Sequence, residues 1–235
     1  MSKPIHHAAA AQLPVGVERA ARNAASGTKT DFKSLLASSL SESRHDPQAR
    51  NKRSSAAGAY QFTERTWLDL IRRHGAALGQ GDAAAKIAVK DGKPIVADPA
   101  DRASILALRS DSTLAGSLAA RYSDENRAAL GRTLGRKVNE NEVRIAYLLG
   151  ATGASRLLRA AHDHPALGVD KVVPAAVRSN PRLFHQPDGT VKTASQAVAS
   201  LMRHFDGEMR QVKSAIGTRV SAAEPAIVPI DDETT

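Results

Sequence analysis

Apolar residues recur along this chain at the three- and four-residue spacing of helices, and no run of four or more positions alternates like a half-buried strand. The spacing predicts an all-α fold. A first helix begins near Asp31, carries Phe32, Leu35, Leu36 and Leu40 on one stripe, and stops before Asp46-Pro47. Thr63 is placed to cap a second helix, which runs through Trp67, Leu70, Ile71 and His74 to Gly75. Asp98-Pro99 opens a third, since Asp caps and proline fits the first turn. A longer helix starts near Ser112, where Leu114, Leu118 and Tyr122 fall four apart, and continues through Leu130 and Leu134 to Gly135. Asn139, three before Glu142 and flanked by Val138 and Val143, marks a capping box for a short apolar helix ending at Gly150. Short helices are expected over residues 153–161 and 174–178. A second capping box, Thr193 with Gln196, starts the last helix, whose inner side carries Val198, Leu201, Met202, Phe205, Met209 and Val212. Residues 79–98 are the least regular stretch, with Asp91-Gly92 and Pro94 as turn signals.

Outside this pattern lie two ends of opposite charge. Residues 1–30 hold four cations against Glu18 and show no sustained period, so they are expected to form a flexible basic arm. Residues 216–235 hold Arg219 against Glu224, Asp231, Asp232 and Glu233 and are expected to form a flexible acidic tail. The two ends cancel, which leaves the whole net charge of +9 on residues 31–215, the expected folded domain.

Hydrophobic residues make up 42% of the chain, enough for a core, but aromatics only 3%, so the interior must be built from Ala, Leu, Val and Ile. The absence of cysteine removes disulfides, thiolate nucleophiles and Cys-based metal sites. No stretch approaches the roughly 18 apolar residues of a spanning helix, so no integral membrane segment is expected. The N-terminus is a poor export signal, because Gln12, Pro14 and Gly16 break its apolar run. A pI near 10.1 raises the question of nucleic acid, yet the Lys and Arg residues are scattered along the chain and not gathered on one helix. No P-loop, GxGxxG or GxSxG motif occurs. His162-Asp163-His164 lacks further ligands at zinc spacing and is read as a polar helix end.

Glu42 is the candidate for chemistry. It follows Leu35 by seven positions, so at ~100° per residue its side chain sits at the edge of the apolar stripe. It also stands in the last turn, where the helix dipole disfavours a negative charge. Both effects raise the pKa, which suits a general acid working near neutrality. The plain structural alternative is a Glu that swings to solvent or pairs with Arg44. Downstream, Ser54-Ser55-Ala56-Ala57-Gly58-Ala59 is a run of small residues that permits close backbone approach. Tyr60-Gln61-Phe62 follows, two rings around an amide, a combination suited to glycans as well as to a core.

Glu42-Ser43, Gly58-Ala59-Tyr60-Gln61 and Ala146-Tyr147-Leu148-Leu149-Gly150 resemble, in order and spacing, the ES, GxxQ and AYxxG blocks of the soluble lytic transglycosylases, relatives of goose-type lysozyme. Residues 54–71, 146–158 and 180–184 are similar to the transglycosylase-like muramidases of alphaproteobacteria and their phages. The resemblance implies a lysozyme-like helical domain without cofactor that cleaves the bond between N-acetylmuramic acid and N-acetylglucosamine. Glu42 would act as acid and then as base, with the substrate's acetamide stabilising the cationic centre and a 1,6-anhydro product forming. Ser43, Gly58, Tyr60, Gln61, Phe62 and Tyr147 would line the glycan cleft. Leu148 departs from the pattern, since the family has Asn there. Hydrolysis by the same Glu42 stays open, with Asp46, Glu64, Asp69 or Glu142 as a water-activating base, although the capping box assigns Glu142 a structural task. A non-enzymatic wall-binding or secretion scaffold is the third reading. The expected partners are peptidoglycan strands, together with secretion or envelope machinery, and not nucleic acid. The expected location is the periplasm.

Overall fold

The computed structural model describes residues 15–222 apart from Arg53. The described chain is mostly helical, with one two-stranded sheet. Helices α1 (Val15–Ala25), α2 (Phe32–Ser43) and α3 (Glu64–His74) come first. A short α4 (Gly81–Ala85) and a hairpin of β1 (Ala88–Lys90) and β2 (Lys93–Ile95) follow, then α5 (Pro99–Ala107) and α6 (Ser112–Leu134). The second half holds α7 (Glu140–Asp163), three short helices α8 (Val169–Val172), α9 (Pro174–Ser179) and α10 (Pro181–Phe184), and α11 (Ala194–Ala222).

The capping residues do what their positions foretell. Asp31 accepts from the Lys33 amide at 3.1 Å, Thr63 from Thr66 at 3.3 Å, and Asp98 from Asp101 at 2.8 Å. In the first capping box Asn139 and Glu142 exchange two bonds of 2.9 Å. In the second, Thr193 and Gln196 exchange bonds of 3.0 and 3.3 Å. Each satisfies amides that a helix start leaves without partners.

Three sequence expectations change. Residues 15–25, assigned to a loose arm, form α1, with Ala20, Ala21 and Ala24 buried against α2 and α6. Its inner stripe is nearly all alanine, too weakly hydrophobic to register as a period yet small enough for close packing, and Ala24 lies beside Gly116 of α6. The rest of the arm, residues 1–14, lies outside the described residues. Residues 216–222, assigned to the tail, continue α11, and residues 223–235 lie outside the described part. Gly150 ends its helix as expected: it takes non-helical φ 71° and ψ 158°, so α7 is two helices joined across a kink, the second running on to Asp163. Lastly, residues 88–95 form the hairpin, closed by Asp91 and Gly92 at φ 50° and 68°, the left-handed pair that suits a two-residue turn. Its three-residue strands are too short to show alternation.

Two apolar clusters make up the interior. The first surrounds Trp67 with Leu35, Leu36, Phe62, Ile71 and Leu118. The Trp67 indole N–H donates to the Ile105 carbonyl at 2.7 Å, so the ring is buried with its donor satisfied. The second cluster surrounds Phe184 with Leu130, Ile145, Leu157 and Leu201. The clusters meet along α7, where Tyr147 packs on the first and Leu148 on the second. The cavity described next opens at this seam.

Candidate active site

Glu42 lies in the last turn of α2, and the exit from that helix is built with unusual backbone. Arg44 and His45 both take left-handed conformations, φ 57° and 67°, which cost L-residues on the order of 1 kcal/mol each. Their amides return to Leu40 at 3.0 Å and Ser39 at 3.1 Å, closing the helix. Buried His45 places Nδ1 3.1 Å from the Ser39 hydroxyl, and burial pushes its pKa down, which keeps the ring neutral at pH 7. The Ser43 hydroxyl donates to the Ala59 carbonyl at 2.9 Å. The turn of helix carrying Glu42 is thereby fixed on both sides.

The loop before α3 is the second support. Gly58 has φ 81°, and a methyl group on it would collide with the Arg109 carbonyl oxygen. Only glycine fits there. The buried Arg109 guanidinium donates to the carbonyls of Ser55 at 2.6 Å and Phe62 at 3.2 Å, gathering the loop. Gln61, itself at φ 47°, donates its side-chain amide to the Gly58 carbonyl at 2.9 Å and to Ala49 at 3.3 Å.

These turns direct both loop rings inward. Tyr60 and Phe62 are each 3% exposed, and Phe62 stands 5.9 Å from Trp67 and 5.9 Å from Tyr147, centroid to centroid. Of the residues expected to line the cleft, Ser43, Gly58, Tyr60, Gln61 and Phe62 do not line the Glu42 cavity; Tyr60 and Phe62 are buried, and Ser43 and Gln61 half-buried. Tyr147 is the member of the expected set that joins Glu42. It donates its hydroxyl to the Tyr60 carbonyl at 3.2 Å, and burial, with the nearby Glu42 charge, raises its pKa well above the usual phenol value.

Glu42 and Tyr147 share a cavity of about 210 Å³ with Ser38, Ser41, Leu148, Asn180 and Leu183. No side chain among the described residues hydrogen-bonds the Glu42 carboxyl. Burial raises its pKa to about 7, partly offset by the Arg144 charge and reinforced by that of Glu208. Near neutrality the acid is thus about half protonated. It can give a proton to a ligand in the cavity and take one back.

Sequence reasoning missed the far wall. Arg144 and Glu208 form a buried ion pair, and Arg144 also donates to the carbonyls of Phe205 at 3.2 Å and Ala37 at 3.3 Å while its guanidinium lies 4.2 Å from the Phe205 ring centre. His204 Nε2 is 2.9 Å from Glu208. The cavity reaches Arg144, His204 and Phe205. A signal was present: Arg144 interrupts the apolar run between Val143 and Ile145, and Glu208 falls three after Phe205 and four before Val212 on the inner face of α11.

The other acids considered lie elsewhere. Asp69 binds Arg72 and Arg73, both at 2.9 Å, Glu64 pairs with Arg102, and Asp46 accepts from the Gln48 amide at 2.8 Å. Glu142 is held by Arg136 in its capping box, and Arg136 lowers its pKa. His162 and Asp163 pair at 2.7 Å on the exposed end of α7. Among the described residues no group of three or more His, Asp or Glu stands ready for a metal ion. Among the described residues no helix is long and apolar enough to cross a membrane. No protein-family model matches the chain.

Proposed function

We propose that the protein is a peptidoglycan lytic transglycosylase of lysozyme-like type, acting on the wall in the periplasm, with Glu42 as its acid and base. The observation that carries this reading is a single half-buried carboxyl, without a side-chain hydrogen-bond donor among the described residues and poised at about 7, in the wall of a cavity that has no other carboxylate among its lining. Protonated Glu42 gives its proton to the glycosidic oxygen as the bond to C1 breaks, and the substrate acetamide oxygen holds the cationic C1. Ionised Glu42 then removes the proton of the 6-hydroxyl, whose oxygen bonds to C1 and displaces the acetamide. The proton count closes on one residue. This substrate-assisted course departs from the two-carboxylate scheme of most glycosidases and needs no second acid.

Ser38 and Ser41 offer hydroxyls to the sugar beside Glu42, and Asn180 brings to the same cavity an amide of the kind that Leu148 lacks. Incubating the protein with murein sacculi and analysing the released fragments by mass spectrometry tests the reading. Anhydro-ended muropeptides, lost with Glu42→Gln, are expected. Reducing ends alone would replace the proposal with a hydrolytic muramidase, and absence of both would leave a scaffold.

A further inference from the structure

A wider groove of about 790 Å³ lies beside the Glu42 cavity and shares two of its walls. On α10 and its approach, Asn180 and Leu183 face the Glu42 cavity while Pro181 and Arg182 face the groove. On α11, His204 borders the cavity while Ser200 and Arg203 border the groove, so the two depressions lie on adjacent stripes of one helix.

The groove is one-signed. Arg182, Lys192 and Arg203 line it, no Asp or Glu does, and neither arginine forms an ion pair among the described residues. Lys192 is the informative member. It is only 9% exposed, and its ammonium donates to the Leu183 carbonyl at 2.8 Å and the Ser200 hydroxyl at 2.9 Å. An ammonium has three N–H donors, so one is left over. Burial and the Arg203 charge both push its pKa down, the mark of a cation held without an anion. Keeping three positive groups around one concavity costs repulsion, and an anionic ligand entering the groove relieves it while gaining charge-assisted hydrogen bonds.

We propose that this groove binds the free carboxylates of the short peptides that branch from wall glycan, so that a peptide-bearing strand is held beside Glu42. This rests on the reading of peptidoglycan as the substrate. A peptide attached to the sugar at the cleavage site emerges next to the cavity, where Arg182 and Arg203 flank the spare Lys192 donor.

Titration of the soluble stem tetrapeptide into the full-length protein, followed by NMR, tests the groove directly. Shifts are expected at Lys192, Ser200 and Arg203, with binding weakened about tenfold in Arg182→Gln/Arg203→Gln and also when the peptide carboxylates are amidated. Both arginines are exposed, so the double variant retains its packing. Absence of shifts, or equal binding by the variant, overturns the proposal. The paired experiment compares KM on intact sacculi with KM on sacculi stripped of peptides by an amidase. A lower KM on intact material that the variant loses supports the groove. Equal KM values on both substrates overturn it while leaving the role of Glu42 standing. Sacculi left uncut by the native protein overturn the Glu42 reading instead, and the peptide titration then decides the groove alone.

Discussion

Two carboxylates, Glu42 and Glu142, lie in the shell of this protein at opposite ends of helices and behave in opposite ways. Glu142 exposes the less surface, 4%, yet its pKa is lowered; Glu42 is half-buried by area but more strongly desolvated, and its pKa rises to about 7. Exposed area alone therefore does not decide the outcome; desolvation is the largest influence on Glu42, whereas hydrogen bonding from Arg136 is the largest on Glu142. Glu142 stands in the first turn of α7, where the dipole favours a negative charge. It receives two bonds from Arg136, 3.0 and 2.7 Å, and one of 2.9 Å from the Asn139 amide. Glu42 stands in the last turn of α2, where the dipole opposes it, and it has no side-chain donor among the described residues. Arg144 is the cation that would neutralise it, but Arg144 is committed to Glu208 and two carbonyls. Desolvation with no compensating donor separates the titrating acid from the structural one, and helix polarity acts in the same direction.

The largest expected effect tests that separation by chemistry. Glu42→Gln keeps the shape and removes the proton, and muropeptide release from sacculi is expected to fall about 1,000-fold, whereas Glu142→Gln retains release. The pH profile of the native protein adds to this: kcat/KM is expected to decline above about pH 7, as Glu42 loses the proton it must donate.

Next in size is a stability effect of opposite sign. A carboxyl at 4.5 when unfolded and about 7 when folded stabilises the fold most below pH 4.5 and costs it progressively up to pH 7. The full cost above that point is about 3 kcal/mol. Glu42→Gln is therefore expected to be more stable than the native chain by up to about 3 kcal/mol at pH 8, with the gain shrinking toward zero at pH 4. Urea unfolding at the two pH values measures it, and an equal difference at both would show that the carboxyl is not desolvated.

Much of this contrast could be read before the structure. Leu35 and Glu42 seven apart, and Asn139 three before Glu142, already placed one acid on a half-buried last turn and the other in a capping box. Helix starts were legible because Asp31, Thr63, Asp98, Asn139 and Thr193 act on amides two or three residues away, within the reach of local sequence. The facing of Tyr60 and Phe62 was not, because it depends on left-handed backbone at Gly58 and Gln61 and on Arg109, far along the chain. The same holds for Arg144 and Glu208, whose charges make sense only when α7 and α11 meet. Helix α1 escaped notice for a different reason: alanines bury little area each, and their packing value comes from the neighbour they allow close.

A smaller effect sharpens the structural side of the comparison. Asn139→Ala removes the bond that caps α7 and is expected to cost about 1 kcal/mol. Glu142→Gln should cost a similar amount at pH 7 and progressively less in acid. A carboxyl whose folded pKa is depressed gives its stability above the unfolded value and loses it as pH falls through the folded one. Thermal unfolding at pH 7 and pH 3 checks the sign, which is the reverse of that expected for Glu42→Gln.

The smallest effect isolates the far wall. Glu208→Gln keeps an oxygen acceptor facing Arg144 and His204 but removes the negative charge that raises the Glu42 pKa. The attraction of Arg144 for the Glu42 carboxylate is then less opposed, so the alkaline limb of the pH profile is expected to move to lower pH by less than about one unit. Because a buried arginine is left without its counter-charge, stability falls as well, and loss of rate alone would be ambiguous. The position of the limb is not, since partial unfolding scales the rate at each pH without drawing a single titration toward acid. A limb that stays at about pH 7 in this variant would mean that Glu208 holds Arg144 in place and contributes nothing to the acid itself.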